Sequence, residues 1–305
     1  MTGDTLGIGD LARRTGVPVR TIRFYCDEGL LTPLRSAGGH RRFDPSATDR
    51  LDLVRRLRAL GLGLSAITSV LTGDRSVGEA VAAERAALDV ELSALAWRRA
   101  ALRAVEHATP ADRAARLDLL AAAHDGRAAH GVLTAFWRAR FPAPVPADTL
   151  DMFLEASAPP PPPDPSPDQV VAYAELVALV SDPHLAAALV ASAHTNRRVI
   201  TDEAALQEGV GAACAAARAR VAAGQPPGSS PELDLFIATH AAVRHRLDTP
   251  EFRRELLADV AVDRDPRMRR YWSGVRVVTA EPVSLGESHT WLLDSLAQSL
   301  EALPS

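Results

Sequence analysis

Arginines gathered on one short segment carry the clearest chemistry in this sequence. Arg20 and Arg23 stand three apart, and Arg35, Arg41 and Arg42 follow close behind. A guanidinium offers a planar fork of N–H donors that fits a phosphate or the O6/N7 edge of guanine. Thr21, Tyr25 and His40 add hydroxyl and ring donors within the same stretch. What such a set does is recognise a polyanion, holding its backbone and reading its bases. The charge balance agrees. Residues 1–58 hold 11 arginines against 7 acids, while the rest of the chain holds 23 against 31. A basic head on an acidic body suits one part that faces nucleic acid and one that does not. Every basic residue is an arginine, a compositional bias that makes an isolated arginine a weak signal.

The elements that must position these groups are readable from local pattern. Ile8, Leu11 and Ala12 give a short first helix one apolar stripe. Gly16 breaks it, and Pro18 suits the first turn of a second helix. That helix runs to Gly29, with Ile22 and either Tyr25 or Phe24 facing inward and Arg20, Thr21 and Arg23 outward. Two short helices around a glycine turn form a helix-turn-helix unit, whose second helix enters a major groove. Gly38-Gly39 signals a hairpin, which places Arg41 and Arg42 on a small two-stranded wing.

Four blocks in order, IGDLA at 8–12, VRTIRFY at 19–25, GLL at 29–31 and GGHRRF at 38–43, resemble the DNA-binding domain of the MerR family of transcriptional regulators. The resemblance covers about the first third of the chain. It implies a winged helix-turn-helix domain over residues 1–75 that binds double-stranded promoter DNA as a homodimer. It further implies that effector binding twists an overlong promoter spacer so that RNA polymerase can use both elements. Carried onto this sequence, it assigns DNA contacts to Arg20, Thr21, Arg23, Arg35, His40, Arg41 and Arg42. Arg41 matches a phosphate-binding arginine, and His40 stands where members often have tyrosine. Tyr25 is either a further contact or a core residue with a polar tip. Arg55, Arg56 and Arg58, on the helical pair after the wing, either support a second backbone contact or form a solvated face. Cys26 stands where relatives usually carry an acid.

Residues 76–108 read as one long helix of about 48 Å at 1.5 Å per residue. Val81, Leu88, Leu95 and Leu102 recur every seven residues, the spacing of a coiled-coil seam. The companion column is broken by Glu84, Glu91 and Arg98. A leucine stripe of that length needs a partner, which the resemblance identifies as the same helix of a second subunit. The alternative is packing on the chain's own C-terminal domain.

Residues 109–305 read as all-helical, making the chain mainly α with a small β wing. Thr109-Pro110, Ser166-Pro167, Asp182-Pro183, Ser230-Pro231, Thr249-Pro250 and Asp265-Pro266 each pair a capping residue with a first-turn proline. Residues 275–279 are the one modest strand candidate. Residues 142–167, with an unbroken proline run at 159–163, favour an extended loop. Residues 265–272 resemble part of the helical antibiotic-binding domain of TipA-type regulators. Aromatics concentrate beyond residue 130, and Trp137, Tyr271 and Trp272 are the candidate contacts for a small organic effector.

Other chemistries lack their residues. Cys26 and Cys214 form no CxxC pair, and no histidine pair has the i, i+4 spacing of a helical zinc site. No nucleophile elbow, P-loop or dinucleotide fingerprint occurs, so no catalytic residue, metal or cofactor is expected. Without a secretory signal or an apolar run of about 18 residues, the expected location is the cytoplasm. Two other functions stay open: a ligand-independent regulator whose C-terminal domain binds protein, and an enzyme domain fused to a DNA-binding head. The second requires a cluster of perturbed titratable groups in the C-terminal half.

Overall fold

The computed structural model describes residues 5–35, 40–141 and 145–301. The Gly38-Gly39 turn and the side chain of Arg35 lie outside what is described. The chain divides into two compact units, Met1–Leu92 and Ser93–Ser305.

The first unit contains β1 (Leu6–Gly7), α1 (Ile8–Thr15), α2 (Val19–Asp27), β2 (Leu34–Arg35), β3 (Arg41–Phe43), α3 (Ala47–Ala59) and α4 (Leu64–Thr72). Gly16 takes the left-handed conformation at φ 69°, and its N–H bonds the Ala12 carbonyl to close α1. Pro18 stands one place before α2 and extends the chain into it. The wing has three strands where two were expected. β1 pairs antiparallel with β3, setting Leu6 opposite Phe43, and β2 pairs with the other edge of β3. A two-residue strand is too short to leave a periodic trace. Leu11, Ile22, Leu30, Phe43, Leu51, Val54 and Ile67 close the core.

The long helix exists as one piece, α5 (Val77–Glu106), and the boundary between the units falls within it. Its start is a capping box. Glu79 accepts from the Ser76 N–H at 2.7 Å, and Ser76 Oγ accepts from the Glu79 N–H at 3.1 Å. Ala80 packs in the first core, while Trp97, Ala100 and Ala104 pack in a core of the second unit. The leucine stripe belongs to neither: Leu88, Leu95 and Leu102 are 48%, 53% and 63% exposed.

The second unit continues with α6 (Arg113–Ala121), α7 (Gly126–Arg138), α8 (Ala147–Ser157), α9 (Pro167–Val180), α10 (Pro183–Asn196), α11 (Glu203–Ala222), α12 (Pro231–Ala242) and α13 (Pro250–Asp259). A 3-10 turn at Ala261–Arg264, α14 (Pro266–Thr279) and α15 (Leu285–Glu301) complete it. Ser166, Asp182, Ser230, Thr249 and Asp265 each cap a helix with an accepting side-chain oxygen, followed by proline in the first turn. Thr109-Pro110 does not. There the helix starts later, after Asp112, whose carboxylate accepts from the Thr109 hydroxyl at 2.7 Å.

Two expectations fail. Residues 275–279 are the last turns of α14, because Val275 and Val278 fall three apart on a buried helical face. The β-branched run is overridden by packing. Residues 142–167 are not a continuous loop, since α8 occupies Ala147–Ser157. The prolines flank that helix rather than interrupt it, with Pro146 directly before it. The proline run beyond it is docked, as Pro159 is buried and its carbonyl accepts from the Tyr173 hydroxyl at 2.9 Å.

The second unit has two apolar cores. One gathers α7, α9 and α14 with the end of α5. The other gathers α11, α12, α13 and α15.

Candidate nucleic-acid interface and effector cavity

The second helix of the first unit presents a clean division of faces. Ile22 and Tyr25 are turned into the core, leaving Phe24 46% exposed. Tyr25 is therefore the inward aromatic. Arg20 and Arg23 are exposed, and neither makes an ion pair or hydrogen bond among the described residues. Thr21 is half-buried beside them. Two unpaired guanidiniums on one face of a short helix are free to take phosphates or base edges.

The wing arginines are differently placed. Arg41 donates to Asp27 at 3.0 Å, tying β3 to the end of α2. Both side chains reach solvent, so the pair is weak and can yield to a phosphate. Arg42 holds the first strand instead: its Nε meets Thr5 Oγ1 at 3.1 Å and its Nη2 meets the Thr5 carbonyl at 2.7 Å. His40 is exposed. Arg50, Arg55 and Arg58 of α3 donate to the carbonyls of Leu30, Thr15 and Leu62 at 2.8, 2.6 and 2.8 Å. Each of these satisfies an acceptor at a helix end or turn. Nothing in the spacing of these arginines foretold which carbonyls they would meet.

A cavity of about 890 Å³ lies between the two cores of the second unit. Trp137, Phe153, Leu206, Val210 and Trp272 supply apolar walls. Trp137 sits 5.1 Å from Trp272 and 5.6 Å from Phe153, ring centre to ring centre. Tyr271 lies behind this wall. It is fully buried, and its hydroxyl bonds Trp137 on one side and the Ser157 carbonyl on the other. Of the three aromatics expected at a ligand, Trp137 and Trp272 reach the cavity and Tyr271 braces them.

Polar groups converge on the same space, and the sequence reading missed them. Arg140 grips Asp263 with two bonds, 2.9 and 3.3 Å. Burial pushes the Asp263 carboxyl up, but the Arg140 charge and hydrogen bonds outweigh it and hold the group below its ordinary value. Burial also works against the Arg140 charge, and Asp263 more than restores it. His240 is pushed well below 6.5 by burial and by the Arg244 charge, and His289 is lowered chiefly by burial. Both imidazoles are therefore neutral near pH 7.

The tautomer of His240 follows from its partner. Arg244 donates to His240 Nδ1 at 2.9 Å. A guanidinium has no acceptor to offer, so Nδ1 is bare and the ring proton sits on Nε2. That Nε2–H is buried and has no partner among the described residues; nor do Asn196 Oδ1 and Ser157 Oγ. All three residues line the cavity. The one local clue was the i, i+4 placement of His240 and Arg244. Arg140 and Asp263, 123 residues apart, gave none.

No group of three or more His, Cys, Asp or Glu that could hold a metal ion occurs among the described residues. The Cys214 thiol, also at the cavity, is pushed up to about 12 by burial and is inert near neutral pH. Among the described residues no single helix is long and apolar enough to cross a membrane.

Residues 6–74 match the family model of MerR HTH family regulatory proteins. The nodulation protein NolA of Bradyrhizobium diazoefficiens is 35% identical over 97 residues, 32% of this chain and 41% of that protein. The HTH-type transcriptional regulator CueR of Salmonella typhi is 40% identical over 60 residues, 19% of this chain and 44% of that protein. The HTH-type transcriptional activator TipA of Streptomyces coelicolor is 42% identical over 65 residues, 21% and 26% respectively. The chain thus spans less than half the length of each of these relatives. No solved structure matches it.

Proposed function

We infer, from the premise that residues 6–74 are a MerR-type helix-turn-helix domain, that the chain is a DNA-binding transcriptional regulator. It works as a homodimer that distorts promoter DNA in response to a small organic effector. The observation that carries this reading is the exposed, unpaired Arg20–Arg23 face of α2 within the matched domain. Three arrangements support the finer parts. Arg41 reaches the same side of the domain through Asp27 at the end of α2. The exposed leucine stripe of α5 is the kind of surface that a second copy covers. The cavity of the second unit has the size and apolar character of a small-molecule site. RNA polymerase is the further partner that such a regulator serves.

An enzymatic reading has one observation in its favour, the buried cluster of Arg140, Asp263, His240 and His289. The bonding of the cluster points to recognition. Both oxygens of Asp263 accept from Arg140, and the Nε2–H of His240 is a donor rather than a base.

Selection of bound duplexes from a random pool, followed by footprinting, tests the regulator. The expected result is protection of an inverted repeat with two equivalent half-sites. Recovery of no consensus overturns specific binding, and protection of a single half-site overturns the homodimer.

A further inference from the structure

The cavity between the two cores of the second unit selects its ligand by charge and by hydrogen bonding. Its buried polar groups carry no net charge, because Arg140 and Asp263 cancel in a two-bond pair and both histidines are neutral near pH 7. Of the remaining acids at the cavity, Glu155, Glu208 and Glu281 are exposed, with Glu281 paired with Arg218 at 2.5 Å, while Glu203 is half-buried and accepts from Gln207 Nε2 at 2.8 Å. An anion would find no uncommitted cation in the interior, and for a cation the half-buried Glu203 carboxylate is offset by the Arg140 and Arg244 charges that it acts on. Hydrogen bonding, however, is unfinished. His240 is only 5% exposed and keeps a buried donor unmet, Ser157 is 1% exposed with an unused buried hydroxyl, and Asn196 Oδ1 is an unused buried acceptor. Buried polar atoms left unmet oppose folding, so such a set is consistent with groups reserved for a ligand.

We propose that this cavity binds an uncharged, ring-bearing organic molecule whose carbonyl or hydroxyl oxygen accepts from His240 Nε2–H. A donor on the same molecule meets Asn196 Oδ1, and its rings lie against Trp137, Trp272 and Phe153. The proposal rests on the effector reading above and narrows it to a ligand class. Size agrees. A volume of about 890 Å³ is near the upper end of ordinary ligand sites, enough for several rings and too large for one.

Three dyes test it by fluorescence titration of the full chain: Nile red, uncharged with fused rings and a carbonyl; anilinonaphthalene sulfonate, an anion; and rhodamine 6G, a cation. Nile red is expected to saturate at one per chain and to bind roughly tenfold more tightly than either charged dye. His240→Leu removes the donor and should weaken Nile red roughly tenfold, whereas His240→Gln supplies an amide N–H and should stay within about threefold. Gly211→Phe is the second variant. Gly211 lines the cavity, and a Cβ there meets nothing within 4 Å, so the ring fills the space without displacing the wall. It should abolish Nile red binding while the melting temperature holds, and it decides the matter even where His240→Leu does not fold. Unchanged Nile red binding to Gly211→Phe overturns the proposal. Equal affinity of folded His240→Leu and the parent, or preference for a charged dye, overturns the ligand class and leaves the effector reading standing. Failure of all three dyes to bind overturns both.

Discussion

The indole N–H of Trp137 donates to the hydroxyl of Tyr271 at 2.7 Å, and that hydroxyl in turn donates to the Ser157 carbonyl at 2.6 Å. Three helices, α7, α14 and α8, are tied at one buried point. The aromatic wall of the cavity is thus fixed from behind, and the indole that faces the space has no polar atom left to spend on a ligand.

Tyr271→Phe should therefore act on stability. It strands a buried indole N–H and removes a donor from a buried carbonyl, which costs about 1–3 kcal/mol for each group left unmet. All four tryptophans lie beyond residue 92, so urea unfolding followed by tryptophan fluorescence reports on the second unit. An unchanged midpoint would show that this tie contributes little.

Arg20→Ala with Arg23→Ala should weaken binding to any duplex and flatten its salt dependence. Each phosphate contact contributes about 0.9 to the log–log slope, so the double variant should lose up to roughly 2. Arg42→Ala should differ in kind, lowering the melting temperature through loss of the two bonds to Thr5. An unaltered slope in the double variant would move α2 off the nucleic acid.

Leu88→Asp with Leu95→Asp should give monomers in sedimentation experiments. Covering one leucine stabilises by about 1.5–3 kcal/mol, and a symmetric dimer counts each position twice. A variant that sediments as a dimer would place the interface elsewhere on the chain.

Stability of the second unit should fall as the solution is acidified below about 6.5. His240 and His289 have folded pKa values depressed below that value. Above it neither state is protonated and nothing is lost. Below it the unfolded chain takes up protons that the folded chain refuses, at up to about 1.4 kcal/mol per pH unit for each histidine until the pH passes that group's folded pKa. Asp263, held low by Arg140, adds a further loss only below about 3.8. His240→Gln should remove its histidine's share of the slope, measured by urea midpoints between pH 5 and 8; a slope identical to the parent's would contradict this account.

What was legible in the sequence was local. The glycine that ends α1, the inward and outward faces of α2 and five capping-residue–proline starts are encoded within a few neighbouring residues each. So was the exposed stripe on α5. Long-range partners were not. The first strand shows itself only when paired to Phe43, and nothing local to Arg42 announces that it will also hold Thr5, 37 residues earlier. Residues 275–279 look like a strand until the helix before them is seen to bury Val275 and Val278. The cavity was half legible. Its aromatics stood out by type, whereas Arg140 with Asp263, and Asn196 with His240, are joined only by the fold.

The capped starts of α10, α12 and α14 bear on how such a cavity can diverge. Each start is written in a few contiguous residues led by Asp182, Ser230 or Asp265 with its proline. The residues these helices give to the cavity, Asn196, His240 and Trp272, lie further along them. Descendants of this gene can therefore exchange cavity residues while the instructions for where each helix begins are inherited intact.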